Sequence, residues 1–127
     1  MKRVDHIGIA VADLAVVDEL LAGKLGLEKV REFTMPNGNR GAFYRLGDVE
    51  IELTEHNAEL KPKRLEGAQA RIDHIALEVD DLDGTVTSLA EMGIKGDLAK
   101  AVGGNSLRTD KDTTAGITLQ FIQLPKK

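Results

Sequence analysis

The chain has no cysteine and no tryptophan, and its aromatic residues stop at Phe33, Phe43, Tyr44 and Phe121 among 127 positions. Without cysteine there is no disulfide framework, no thiolate nucleophile and no thiolate metal ligand, which fits a reducing compartment. So few aromatics leave no platform for stacking bases. Nor is there a cationic surplus: 17 Lys and Arg stand against 21 Asp and Glu, a net charge of −4, which excludes nucleic acid as a partner. No run approaches the roughly eighteen apolar residues of a membrane span, and the opening "MKRVDHIGIAV" lacks a cleavable apolar leader. The expectation is a cytoplasmic protein with no membrane partner. At 42% hydrophobic residues the chain can bury a mainly aliphatic core, removing roughly two-thirds of its unfolded surface from water.

The most informative feature present is a repeat. "VDHIGIAVADL" at residues 4–14 returns as "IDHIALEVDDL" at 72–82, with six of eleven residues identical and 68 positions between His6 and His74. Each copy alternates apolar and polar residues at period two, the pattern of a half-buried strand. After the first comes "ADLAVVDELLAGKLGLEK", where Leu14, Val17, Leu20, Leu21 and Leu25 recur at helical spacing, with Asp13 as N-cap and Gly26 near the end. Strand patterns follow at 28–35, 40–46 and 48–54, divided by the turns "PNGN" and "LGD".

The second copy runs in the same order: strand 72–79, helix 82–92, then strands 94–102, 105–110 and 117–124. This predicts an α+β fold of two tandem βαβββ modules in one domain spanning 1–127. Module one covers about 1–56, a polar linker or loose helix about 57–70, and module two about 71–127. Duplicated supersecondary units bury each other's faces, and curved sheets around a cavity are expected. Exposed strand edges are seldom left bare, so a homodimer is expected as well.

Polar residues obey the same offset. Glu52 in "VEIELTE" and Gln120 in "ITLQFIQ" are also 68 apart, and each follows its module's histidine by 46. Strand parity places His6 opposite Ile7, Ile9 and Val11, His74 opposite Ile75, Leu77 and Val79, and Glu52 and Gln120 opposite their own apolar neighbours. All four should project from the face away from the helices. Two imidazoles, a carboxylate and an amide gathered there would be costly unless solvated or coordinated. Two nitrogens and two oxygens suit one divalent ion, Zn, Ni, Co, Fe or Mn.

The remaining polar residues have simpler readings. His56 breaks the offset and is expected at the surface. Asp13, Asp80, Asp81 and Asp83 sit at the strand-to-helix junctions, where helix capping accounts for them. Gly103-Gly104 reads as a tight turn, and Lys61, Lys63, Arg64 and Arg71 as a solvated basic linker.

The pair "VDHIGIAV" and "IDHIALEVDD", with "EIELTE" closing the first module, resembles the vicinal oxygen chelate superfamily over the whole chain. That superfamily includes glyoxalase I, methylmalonyl-CoA epimerase, extradiol dioxygenases and antibiotic-resistance binders. The resemblance implies metal ligation by His6, Glu52, His74 and Gln120, with Glu52 as the catalytic base. Bacterial glyoxalase I usually has His, Glu, His, Glu in this order, and the epimerase His, Gln, His, Glu. The present set has the epimerase inventory with glutamine and glutamate exchanged between modules. Other positions depart from both relatives: "DKD" stands where the epimerase has "HPK", residues 40–43 hold no acid, and "LLAGKLG" lacks the aromatic pair of glyoxalase I. The implied activity is a metal-dependent lyase or isomerase of the glyoxalase I type, passing a proton through a metal-stabilised enediolate. The alternatives are methylmalonyl-CoA epimerase and a non-catalytic small-molecule binder of the resistance type. The implied substrate is a small carbonyl compound, thioester or hemithioacetal.

Overall fold

A computed structural model of the chain describes residues 1–101 and 104–124. The strands are β1 Arg3–Val11, β2 Glu28–Thr34, β3 Arg40–Leu46, β4 Val49–Glu55, β5 Ala70–Glu78, β6 Gly96–Ala101, β7 Gly104–Thr109 and β8 Leu119–Gln123. The helices are α1 Leu14–Asp18, continued by a π-helical segment Glu19–Lys24, α2 Lys61–Leu65 in the linker, and α3 Leu82–Glu91. The expected α+β fold of duplicated βαβββ modules is present. Gly103 of the expected Gly103-Gly104 turn, and Val102 at the end of the expected strand 94–102, lie outside the described residues.

Two compact units make up the chain, His6–Asp73 and Met1–Asp5 with His74–Lys127. In the first, the strands run in the order β2-β3-β4-β1, with β1 and β4 parallel and the other pairs antiparallel. In the second the order is β5-β8-β7-β6, with β5 and β8 parallel. Residues at the start of β1 serve the second unit: Lys2 N donates to Glu78 O at 2.8 Å, and Arg3 pairs with the Glu78 carboxylate at 2.9 Å.

The cores repeat with the sequence. One cluster holds Val11, Leu21, Ala42, Tyr44 and Leu53, with Ile9, Leu14 and Ile51 packed against it. The other holds Val79, Leu82, Leu89, Leu107 and Phe121, with Leu77 and Leu119. Val11 and Val79, Leu21 and Leu89, and Leu53 and Phe121 each stand 68 positions apart, so the offset seen in the strands extends to the helix faces that cover them.

The first helix departs from its expected spacing. Leu20 and Leu25 are turned to solvent, 46% and 63% exposed, while Ala22 and Leu27 pack on the core. The cause is the π-helical turn, in which Leu25 N donates to Leu20 O five residues back, widening the turn and moving the apolar stripe along by a residue. Gly26, at φ +73°, ends the segment.

Each main helix is capped by the final residue of its module's last-paired strand. Leu14 N donates to Glu55 Oε1 and Leu82 N to Gln123 Oε1, both at 2.8 Å, and these pairs too are 68 apart. Asp13 caps as expected, accepting from Ala15 N, whereas the Asp81 side chain makes no capping bond and Leu82 N is satisfied by Gln123. The Leu14 N–H bond, with Arg40 and Lys61 nearby, holds the Glu55 carboxyl below its usual range. A folded-state value below the unfolded one means stability present above the ordinary carboxylate range and lost as pH falls through the folded value. Glu55→Ala should cost about 1–2 kcal/mol at neutral pH by orphaning the helix N–H. Glu55→Gln, copying Gln123, should keep most of that stability and flatten its decline in acid. Denaturant unfolding of both variants from pH 7 to pH 3 checks this.

Candidate metal centre

In the first unit, β1 and β4 run parallel with His6 opposite Glu50 and Gly8 opposite Glu52. The apolar side chains of alternate parity, Ile9, Val11, Ile51 and Leu53, lie in the cluster that also packs Leu14, Val17 and Leu21, so His6 and Glu52 share the opposite face. His6 is only 6% exposed, and its Nε2 lies 3.6 Å from Glu52 Oε1. That is too long for a good hydrogen bond. An imidazole nitrogen and a carboxylate oxygen set side by side are donors that a divalent ion would accept.

An aromatic wall stands beside this pair. Phe43, opposite Glu52 on β3, meets the His6 ring edge to face at 5.9 Å, and Phe33 lies 5.7 Å from Phe43. Gly41 makes room for it: a Cβ there would come within 2.5 Å of Phe33 Cζ and 2.0 Å of Leu53 O. On β2 a register shift between Lys29 and Arg31 inserts one extra residue. This bulge sends the two side chains to opposite faces. Lys29 pairs with Asp18 at 2.9 Å on the helix side, where Asp18 also accepts from the buried Tyr44 hydroxyl. Burial, then that bond, raises the Tyr44 phenol well above its ordinary value, and the same bond with Lys29 lowers Asp18. Arg31 instead joins the His6 face, its guanidinium 3.9 Å above the Phe43 ring.

The second unit repeats the arrangement with different chemistry. Ala76 lies opposite Gln120 on the parallel pair β5–β8, as Gly8 lies opposite Glu52, and the half-buried His74 precedes Ala76 by two positions as His6 precedes Gly8. Leu77, Val79, Leu119 and Phe121 take the helix-facing parity. Gln120 Oε1 is buried and has no hydrogen-bond partner. Such a group costs about 1–3 kcal/mol unless something binds it. In each unit an imidazole and an amide or carboxylate oxygen are donors of the kind a divalent ion accepts, so the residues present fit the metal that the resemblance implies. The structure thus brings His6 and Glu52 together in one unit and sets His74 and Gln120 on paired strands of the other.

Other polar residues resolve differently from their sequence readings. His56 is half-buried and lines an open surface cavity of about 640 Å³ with Lys61, Pro62, Leu65 and others. Lys61 of α2 lies 3.8 Å from the Glu55 carboxylate at the end of β4. Lys63 and Arg71 are exposed as expected, but Lys61 and Arg64 are engaged: Lys61 Nζ donates to Ala12 O at 3.1 Å, and Arg64 pairs with Asp73 at 3.3 Å. Glu55 and Gln123 escaped the sequence reading although they obey the 68-residue offset, which was the available signal.

The family model for the glyoxalase/bleomycin resistance protein/dioxygenase superfamily matches residues 5–108. No curated protein matches the chain by sequence. Among solved structures, methylmalonyl-CoA epimerase from Mycobacterium tuberculosis is similar at a TM-score of 0.87 and 24% identity, over 98% of this chain and 89% of that one. A hypothetical protein from Bacillus halodurans reaches 0.88 at 25% identity, over 98% and 96%. A variant of Streptomyces coelicolor methylmalonyl-CoA epimerase in complex with 2-nitronate-propionyl-CoA reaches 0.87 at 20% identity, over 99% of both chains. At such identities the likeness to the epimerases is one of fold.

Proposed function

We propose that this chain, which belongs to the glyoxalase/bleomycin resistance protein/dioxygenase superfamily, transfers a proton at the carbon beside the carbonyl of a small acyl thioester, as methylmalonyl-CoA epimerase does. One divalent ion would be held by His6, Glu52, His74 and Gln120, of which the first three offer nitrogen or carboxylate donors. The observation that carries this reading is Gln120 Oε1, buried without a partner at the position duplicated from Glu52. When bound, the ion would supply a Lewis acid for negative charge developing on a carbonyl oxygen.

The chain's own residues do the rest. Glu52 is the one carboxylate of the four and takes the proton; Gln120 can hold but has no proton-accepting group at neutral pH. His6, wedged between Glu52 and the Phe43 edge, fixes the carboxylate's neighbourhood, and Phe33 and Phe43 keep water from that side. The fold likeness to epimerases that bind CoA thioesters puts a 2-carboxyacyl thioester first among substrates. A single carboxylate also favours a second reading, the glyoxalase I type, because one base suffices to move a proton between adjacent carbons of a hemithioacetal. A homodimer belongs to the same reading.

Incubation with a single epimer of methylmalonyl-CoA, and separately with the hemithioacetal of methylglyoxal and glutathione, tests these readings. Epimerisation of the first is the expected result, and turnover of the second alone transfers the assignment to the glyoxalase reaction. Saturable binding with neither reaction points to the resistance-type binder.

A further inference from the structure

We infer that Arg31 is the specificity-determining residue of this site, receiving a carboxylate of the substrate in place of Glu50. Naming the substrate's carboxylate rests on the thioester reading above; the geometry of the receptor does not.

Arg31 donates to both oxygens of Glu50, Nη2 to Oε1 at 3.0 Å and Nη1 to Oε2 at 3.3 Å. That fork is the geometry a guanidinium offers to any planar carboxylate. Its underside is closed by the Phe43 ring at 3.9 Å, which holds the guanidinium plane in place. Its outer side is open, the Arg31 side chain being 45% exposed and that of Glu50 22%. An ion pair with that much solvent is worth little, so an incoming anion displaces Glu50 at small cost.

Location is the second observation. Arg31 lies opposite Phe43, and Phe43 opposite Glu52, so the three form a row across β2, β3 and β4. Neighbouring strands are about 4.8 Å apart, and the guanidinium over Phe43 is therefore about one strand spacing from the strand that carries Glu52. In a 2-carboxyacyl thioester the carboxylate is attached directly to the carbon that loses its proton. With that carbon over Glu52, the carboxylate turned toward β3 reaches the guanidinium. The bulge at Val30 is what sets Arg31, and not its neighbour, on this face.

Two substitutions separate recognition from a merely structural ion pair, because recognition moves them in opposite directions. The probe is malonate, with inorganic phosphate as the second arm, followed through the Arg31 Nε–Hε resonance and by calorimetry on protein shown to be folded. Arg31→Ala should weaken malonate binding by about 10- to 100-fold, and Arg31→Lys, which keeps charge but not the fork, by about 10-fold. Glu50→Gln removes the internal competitor and should tighten binding by roughly 3- to 10-fold. In turnover, Arg31→Lys should raise KM for methylmalonyl-CoA while kcat changes little.

Malonate that fails to bind the wild-type chain, or binds Arg31→Ala as well as wild type, or weakens in Glu50→Gln, overturns the inference. Phosphate binding tighter than malonate overturns the assignment to a carboxylate. If malonate binds as described but methylmalonyl-CoA is not epimerised, the receptor stands and the proposed reaction falls.

Discussion

Glu52→Gln should leave the fold and the bound ion in place and lower turnover by about 100-fold or more, the loss typical of a general base. The exchange keeps the shape of the side chain and an oxygen that can ligate, and it occurs naturally in the chain's other half, where Gln120 occupies the equivalent place opposite Ala76. What it removes is the only carboxylate among the four residues. The reciprocal change Gln120→Glu should retain turnover and bind metal at least as tightly, since it adds a negative charge where Oε1 is now buried without a partner. A turnover assay with metal content measured in parallel checks both. Wild-type turnover by metal-loaded Glu52→Gln would place the base elsewhere.

His6→Ala or His74→Ala should reduce metal from about one equivalent per chain to near none after dialysis, because a site with one of four ligands missing binds far more weakly. His6 is the more demanding test, since its ring is also packed edge-on against Phe43 and only 6% exposed. Removing it leaves a void beside an aromatic ring, so His6→Leu, which refills much of the space without a ligating atom, accompanies it. Elemental analysis of tag-free protein, with circular dichroism to confirm folding, reads the outcome. Full occupancy in His6→Ala would mean that the imidazole is structural.

The strands and the faces of their side chains were legible because period-two alternation and a constant offset are local properties of the sequence. The same arithmetic paired Glu52 with Gln120 and put His6 and Glu52 on the face away from the helix. It was silent where the backbone adds a residue. The bulge between Lys29 and Arg31 sends to opposite faces two side chains that strict alternation would put on one, and nothing in "EKVREFT" marks it. The π-helical turn exchanges Leu20 and Leu25 for Ala22 and Leu27 on the core, a shift that helical spacing alone predicts wrongly. Glu55 and Gln123 look like ordinary strand-end polar residues until the helix N-terminus that each one caps is in view. The aspartates beside them drew the capping role because their residue type favours it, and only Asp13 takes it through its side chain.

Metal-dependent proton transfer beside a carbonyl is tested most directly by solvent-deuterium incorporation at C2 of methylmalonyl-CoA, followed by mass spectrometry before and after treatment with a chelator. One deuteron incorporated by the untreated protein, abolished by the chelator and restored by added divalent metal, is the expected result. No incorporation by metal-loaded protein, or incorporation that the chelator leaves unchanged, would contradict it.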